Sequence, residues 1–160
     1  QKNKNKMSVP GFRKGKAPKA IVEKTPKQKK RVVILFATAN SVTVAGSKSI
    51  AGCVSDILGF ENVAAKALKG NSDKTPYSME ALLEQNPEIV FITSMGKAEK
   101  IEKRLQTDFK NNPAWNGLGA VKNKKVFVLP ENMFLINPGI HYPEAVAYMA
   151  KLAYPQEMAK

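Results

Sequence analysis

The side chains that could do chemistry in this 160-residue sequence are few and far apart. The chain has one histidine, His141, and one cysteine, Cys53, separated by about 90 positions. A Cys–His nucleophilic pair needs both groups within hydrogen-bonding reach, and no pattern in the sequence brings these two together. No serine lies in a Gly-x-Ser-x-Gly turn, and the residues after the first apolar run lack the glycines of a phosphate-binding loop. The sequence therefore predicts a protein that is not an enzyme.

The sequence also offers few ligands for a metal or cofactor, because it lacks clusters of His, Cys or acidic residues. We expect no bound cofactor and no metal held by protein side chains alone. His141 could hydrogen-bond an anionic group or act as an axial ligand to haem iron, or it could simply bond to backbone near a helix start. Met95 could touch a hydrophobic ligand or fill a packing gap. Cys53 and Trp115 are interpreted as packing residues.

Strands and helices alternate along the sequence after residue 30. The apolar, β-branched run Val32–Phe36 is typical of a strand buried on both faces, and Ile89–Ile92 and Lys125–Leu129 repeat the pattern. Helical spacing or capping residues follow each loop, and we expect four helices. The first helix ends at Gly59, and the second starts after Ser78. The third spans Lys97–Phe109, and the fourth starts near Pro143. We predict an α/β fold in three layers, with a mostly parallel sheet covered by helices on both faces.

Sheets of this kind bind ligands beyond the carboxyl ends of their strands. Three predicted loops lie there, at Thr38–Ser47, Thr93–Lys97 and Pro130–Tyr142, and all carry small, hydroxyl or amide side chains. The candidate ligand-binding residues are Thr38, Asn40, Ser41, Thr93, Ser94, Met95, His141 and Tyr142.

The charge is distributed very unevenly. Residues 1–31 contain 12 Lys and Arg against one acid, whereas the rest of the chain has 14 basic and 12 acidic residues. We predict a basic, flexible arm over residues 1–30 and one folded domain over residues 31–157. Neither a secretory signal nor an apolar run long enough to span a membrane is visible, so the chain as written would stay in the cytoplasm.

From about Lys30 to Pro155 the sequence resembles the C-terminal lobe of ABC-transporter solute-binding proteins for iron siderophores, haem and cobalamin. The resemblance is carried by three segments of the chain. These read RVVILFATANSVTVAGSKSIAGCVSDILGFENVA, YSMEALLEQNPEIVFITS, and NNPAWNGLGAVKNKKVFVLPENMF with NPGIHYPEAVAYMAKLAYP.

That resemblance implies an extracytoplasmic binder that holds its ligand between two lobes, of which this chain matches the C-terminal one. Glu80 occupies the position of a glutamate that docks on arginines of the membrane permease. In the family, the loop before the last helix often carries an arginine that meets an anionic ligand. His141 lies in that loop here, which favours haem or another iron complex, such as an Fe(III)-siderophore, as the ligand.

The arm resembles the ribosome-docking segment of bacterial trigger factor over residues 1–24, in the stretch QKNKNKMSVPGFRKGKAPKAIVEK. That resemblance implies a ribosome contact through a basic loop, which suits a phosphate-rich partner. The motif residues are Phe12, Arg13, Lys14, Gly15 and Lys16.

Two functions follow from these resemblances. The first is the substrate-binding component of an ABC importer for iron complexes, which binds ligand at the strand-end loops and docks on a permease. The alternative is a ribosome-associated, trigger-factor-like chaperone fragment that carries the α/β domain as a passenger. A small NAD-binding domain is disfavoured by the missing glycine fingerprint.

The domain boundary predicts how a truncated chain behaves. Deleting residues 1–29 should leave the melting temperature nearly unchanged, because a solvated arm contributes little to the core. Thermal unfolding followed by circular dichroism measures this directly. A loss of many degrees would mean that the arm packs against the domain.

Overall fold

A computed structural model describes residues 29–65, 74–75, 78–136 and 139–158. The ribosome-docking motif of Phe12, Arg13, Lys14, Gly15 and Lys16 lies outside the described residues. Six strands are described, β1 Arg31–Ala37, β2 Val42–Ala45, β3 Glu61–Asn62, β4 Lys74–Thr75, β5 Ile89–Ser94 and β6 Val126–Val128. The helices are α1 Ile50–Ile57, α2 Met79–Gln85, α3 Ala98–Leu105, α4 Pro113–Gly117, α5 Gly119–Lys122, α6 Glu131–Phe134 and α7 Tyr142–Ala153.

The strands form one mixed sheet in the order β4-β2-β1-β5-β6, with β3 also paired to β1. The central strands β1, β5 and β6 run parallel, and β3 is parallel to β1. Strand β2 is antiparallel to both β1 and β4. The sheet is therefore mostly parallel, as the alternation of strands and helices predicts.

Helices cover both faces of the sheet, as predicted. On one face Val32, Ile34 and Phe36 of β1 pack in a cluster with α1 and α7. On the other face Val33 and Leu35 of the same strand pack with α2, α3, α4 and α5. Since successive strand residues point to opposite faces, the continuous apolar run of β1 supplies both cores at once.

The predicted loop at Thr38–Ser47 is wrong in part, because β2 lies inside it. Val42 and Val44 alternate with small residues, and Leu35 pairs with Val44 to form a hairpin with β1. The loop predicted at Pro130–Tyr142 likewise contains α6 and a 3-10 turn at Gly139–His141. These segments are too short to produce a clear periodicity in the sequence.

The helices begin and end near the capping residues that the sequence contains. The hydroxyl of Ser49 accepts a hydrogen bond from Gly52 N–H, and Ser78 accepts one from Ala81 N–H. Gly59 adopts a φ of +73° just beyond α1, as a C-terminal glycine should. The helix predicted over Lys97–Phe109 is α3 followed by a π-helical turn at Gln106–Lys110.

Trp115 is a packing residue, as predicted. It lies in the middle of the short helix α4 and is 6% exposed, with its ring centroid 4.4 Å from that of Phe109. This contact buries the end of the π-helical turn against the sheet.

No helix among the described residues is long and apolar enough to cross a membrane.

Candidate ligand-binding site

Two of the predicted loops lie side by side at the carboxyl edge of the sheet. Parallel pairing places Phe36 beside Thr93 and Ala37 beside Ser94, so β1 and β5 end together. Met95 N–H then donates a hydrogen bond to the carbonyl of Ala37 over 3.1 Å, and this bond links the segments that follow β1 and β5. The register of the sheet thus gathers residues that are more than 50 positions apart in sequence.

A tight turn connects β1 to β2 at this edge. The hydroxyl of Thr38 accepts hydrogen bonds from the N–H groups of Asn40 and Ser41, at 3.3 and 3.1 Å. The side chains of Thr38 and Ser41 also meet at 3.3 Å, so both hydroxyls are partly engaged in holding the turn. Asn40 is exposed at the turn.

The residues at the end of β5 differ in how far their side chains are exposed to solvent. Thr93 is 4% exposed, and its hydroxyl donates to the carbonyl of Leu35 over 3.1 Å. Thr93 therefore holds the sheet together instead of offering its hydroxyl to a ligand. Ser94 is half-buried, and the side chain of Met95 is 50% exposed beyond the strand.

Tyr142 is buried in the core, 1% exposed, in contrast to its predicted place in a ligand-binding surface. Burial raises the pKa of its phenol, and the neighbouring Cys53 and Asp56 raise it further. The phenol therefore stays neutral and anchors α7 against α1. The aromatic ring carries enough apolar surface to favour burial. The prediction was wrong because the sequence around Tyr142 is typical of an exposed loop.

His141 is exposed immediately before α7, with its Nδ1 atom 3.1 Å from Oε1 of Glu144. The far end of α7 lies at the opposite edge of the sheet, because the Tyr154 ring is 5.8 Å from the Nζ of Lys30, which precedes β1. Since α7 has 12 residues and rises about 18 Å, its start points toward the carboxyl edge. His141 therefore approaches the same edge as Asn40 and Met95, on the face covered by α7.

Two further apolar side chains, which the sequence did not single out, are exposed to solvent. Val128, the last residue of β6, is 57% exposed, and Ile136, beyond α6, is 61% exposed. Met95 and Val128 lie at or just beyond the carboxyl ends of the neighbouring strands β5 and β6, and Ile136 follows α6. The sequence signal for Ile136 was its place in the predicted loop Pro130–Tyr142, whereas Val128 falls inside the predicted strand Lys125–Leu129.

An apolar cavity of about 700 Å³ adjoins this surface beneath α3. Ser94, Gly96 and Val128 line it near the carboxyl edge of the sheet, and Phe109 and Trp115 line its interior. Its size is in the range of small-molecule pockets. The part of the chain that the structure describes holds no group of three or more His, Cys, Asp or Glu side chains arranged for a metal ion.

Comparison with known proteins agrees with this geometry. Residues 16–133 match the family described as periplasmic binding proteins. The chain belongs to this family. Its members are binding proteins, which confirms the prediction that the chain is not an enzyme.

Several individual proteins are similar to this chain in sequence or structure. The high-affinity heme uptake system protein IsdE of Staphylococcus aureus strain MRSA252 is 36% identical over 137 residues, covering 84% of this chain and 46% of that protein. The crystal structure of S. aureus IsdE complexed with heme matches with a TM-score of 0.74 and 31% identity, covering 85% of this chain and 52% of that one. An ABC transporter substrate-binding protein from Listeria monocytogenes EGD-e matches with a TM-score of 0.68 and 27% identity, covering 86% of this chain and 54% of that one.

The chain spans about half the length of the relatives it matches. The solved structures therefore establish the fold of one lobe of a periplasmic binding protein. The comparisons give no support to the trigger-factor-like segment, since the family match already begins at Lys16, inside it.

Proposed function

We propose that this chain is the C-terminal lobe of an extracytoplasmic substrate-binding protein that delivers haem to an ABC importer. Family membership and the 36% identity to a heme uptake protein support this assignment. The observation that carries it is His141, which stands exposed near the ligand edge of the sheet and is paired with a carboxylate.

The pair of His141 and Glu144 suits an iron ligand. A carboxylate near Nδ1 favours the tautomer in which Nδ1 carries the hydrogen, so that Nε2 keeps its lone pair. Ligating histidines commonly donate their second N–H to a carboxylate in this way, which orients the ring and raises its basicity. The side chain is 61% exposed, so a ligand can reach it without unfolding the loop.

The apolar surface of Met95, Val128 and Ile136 suits the body of the ligand. A porphyrin is a flat and largely apolar ring system, and its burial against such side chains is favourable by roughly 25 cal/mol per Å² of apolar area. Binding of the ring would also remove three exposed hydrophobic side chains from water. The two groups that haem needs from this lobe, an axial ligand and an apolar wall, are thus both available in the chain.

The direct test is an absorption titration of the 160-residue chain with haemin. We expect a sharp, saturable Soret band and quenching of the fluorescence of Trp115, the only tryptophan. Ferric siderophores and cobalamin serve as comparison ligands and should bind more weakly. The absence of a saturable Soret change would contradict the haem assignment, and tighter binding of a siderophore would redirect it.

Permease docking through Glu80 is the second part of the proposal. Glu80 is exposed in the first turn of α2, where its charge is free to meet a partner. In the full-length binding protein, Glu80→Ala should weaken binding to the permease roughly tenfold, since one charge-assisted contact is lost. Pull-down with the reconstituted permease measures this.

Glu84→Ala is the matched control, because Glu84 is also exposed on α2. Its replacement removes the same charge from the same helix and should leave permease binding unchanged. Equal losses in both variants would point to general charge attraction and would contradict a specific role for Glu80.

A further inference from the structure

A basic groove runs between the β1–β2 turn and helix α3. Its volume is about 360 Å³, and six residues line it, namely Ala39, Asn40, Lys100, Lys103, Arg104 and Thr107. Three of the six carry a positive charge, and none carries a negative charge.

Helical geometry explains why the charges converge. Lys100, Lys103, Arg104 and Thr107 follow the i, i+3, i+4, i+7 spacing, so they share one face across α3 and the turn that follows it. The hydroxyl of Thr107 donates to the carbonyl of Lys103 over 2.9 Å, so its hydrogen is used within the helix. The hydrogen-bond donors that face the basic groove are therefore the two ammonium groups, the guanidinium and the amide of Asn40.

The basic groove opens at the edge where the proposed ligand would bind. Asn40 belongs to the turn beyond the carboxyl end of β1, and this turn is fastened to Met95 through the hydrogen bond at Ala37. None of the six lining residues is acidic, while Glu99 and Glu102 lie elsewhere on α3, and three cations that share one groove create a local positive potential that attracts anions. A ligand that meets the apolar side chains at this edge therefore has a positive surface beside it.

We propose that the basic groove binds the carboxylate groups of the ligand, which for haem are its two propionates. This inference rests on the proposed function, because it concerns the same ligand, but it involves different residues from the iron ligand. Lysine and arginine supply charge-assisted hydrogen bonds to carboxylates, and the Asn40 amide adds a neutral donor. An apolar wall and one axial ligand alone would allow the porphyrin to bind in several orientations about the bond between iron and histidine. The basic groove selects one of them by holding the carboxylates.

Haem and haem dimethyl ester form the discriminating pair of probes. The two share the iron and the porphyrin ring, but the ester has no charged carboxylates. The unmodified chain should bind haem about tenfold more tightly than the ester at low salt, and added salt should reduce this preference. Both affinities are measured by Soret titration of the full 160-residue chain.

The variant Lys100→Gln/Lys103→Gln should lose this preference and bind both probes with the affinity of the ester. The matched control is Lys122→Gln/Lys151→Gln, which changes the net charge equally at exposed positions outside the basic groove. The control should keep the tenfold preference. Arg104 is left unchanged because it is partly buried and has further contacts.

Four outcomes would overturn the inference. Equal binding of haem and its ester by the unmodified chain removes the carboxylate contact while leaving the haem assignment intact. Equal weakening of both probes in the Lys100/Lys103 variant, or an equal loss of preference in the control, shows a general effect instead of a carboxylate site. Failure of both probes to bind contradicts the proposed function itself, and the inference falls with it.

Discussion

Replacement of His141 by alanine is expected to weaken haem binding by the 160-residue chain at least about 30-fold, which corresponds to about 2 kcal/mol. The reason is that Nε2 of His141 is the proposed iron ligand, and alanine leaves only apolar contacts. The Soret band of the remaining complex should shift, because the axial ligand is gone. Because the side chain is 61% exposed, the melting temperature of the chain should change little.

Two further measurements separate iron ligation from a local structural effect. Added imidazole should restore the Soret position in His141→Ala, since it replaces the missing ligand. Glu144→Ala should weaken binding roughly tenfold without abolishing it, because it removes the group that orients the ring. An unchanged affinity and spectrum in His141→Ala would show that the iron is held by something else.

Gly52→Ala is expected to destabilise the domain by roughly 3 kcal/mol, at the upper end of the usual range for overpacking. Gly52 is buried in α1 close to Gly46, and a Cβ atom added there would collide with the carbonyl carbon and oxygen of Gly46. Backbone atoms cannot rotate away as a flexible side chain can. Urea unfolding should therefore show a clearly lower midpoint.

The expectation from helix propensity alone has the opposite sign. Within an exposed helix, glycine to alanine stabilises by about 1 kcal/mol. Gly59→Ala provides the control, because Gly59 has a φ of +73° and no atom within 4 Å of an added Cβ. It should cost only about 1 kcal/mol, from the left-handed backbone alone. A stabilised Gly52→Ala protein would contradict the packing of α1 against the loop before it.

The regular parts of the fold were predictable because their signals are local. β1 and β5 are continuous apolar runs, and the caps at Ser78 and Gly59 follow from side-chain and backbone chemistry within a few residues. Strand β2 was missed because four residues give too little periodicity to identify a strand. The parallel pairing of β1 with β5 was inferred only from the general rule for alternating strands and helices.

The candidate site was predictable as a set of loops but not residue by residue. Thr93 and Tyr142 follow the same strand-end logic as Met95 and His141, yet the first two are buried and the last two are exposed. Val128 and Ile136 were missed for the converse reason, since apolar residues are expected in the core. Exposure depends on which neighbours a chain segment meets, and those neighbours are distant in sequence.

The sequence by itself determined the α/β architecture and the order of the main elements, and it supplied the prediction that ligand binds at the carboxyl edge of the sheet. Hydrophobic periodicity and capping act over a few residues, so they can be read directly from the sequence. Only the tertiary structure decided that His141 stands beside Glu144 and that Asn40 faces Lys100 and Lys103. The second arrangement places a turn across a groove from a helix about 60 positions away, and it exists only once the parallel sheet has brought its strand ends together.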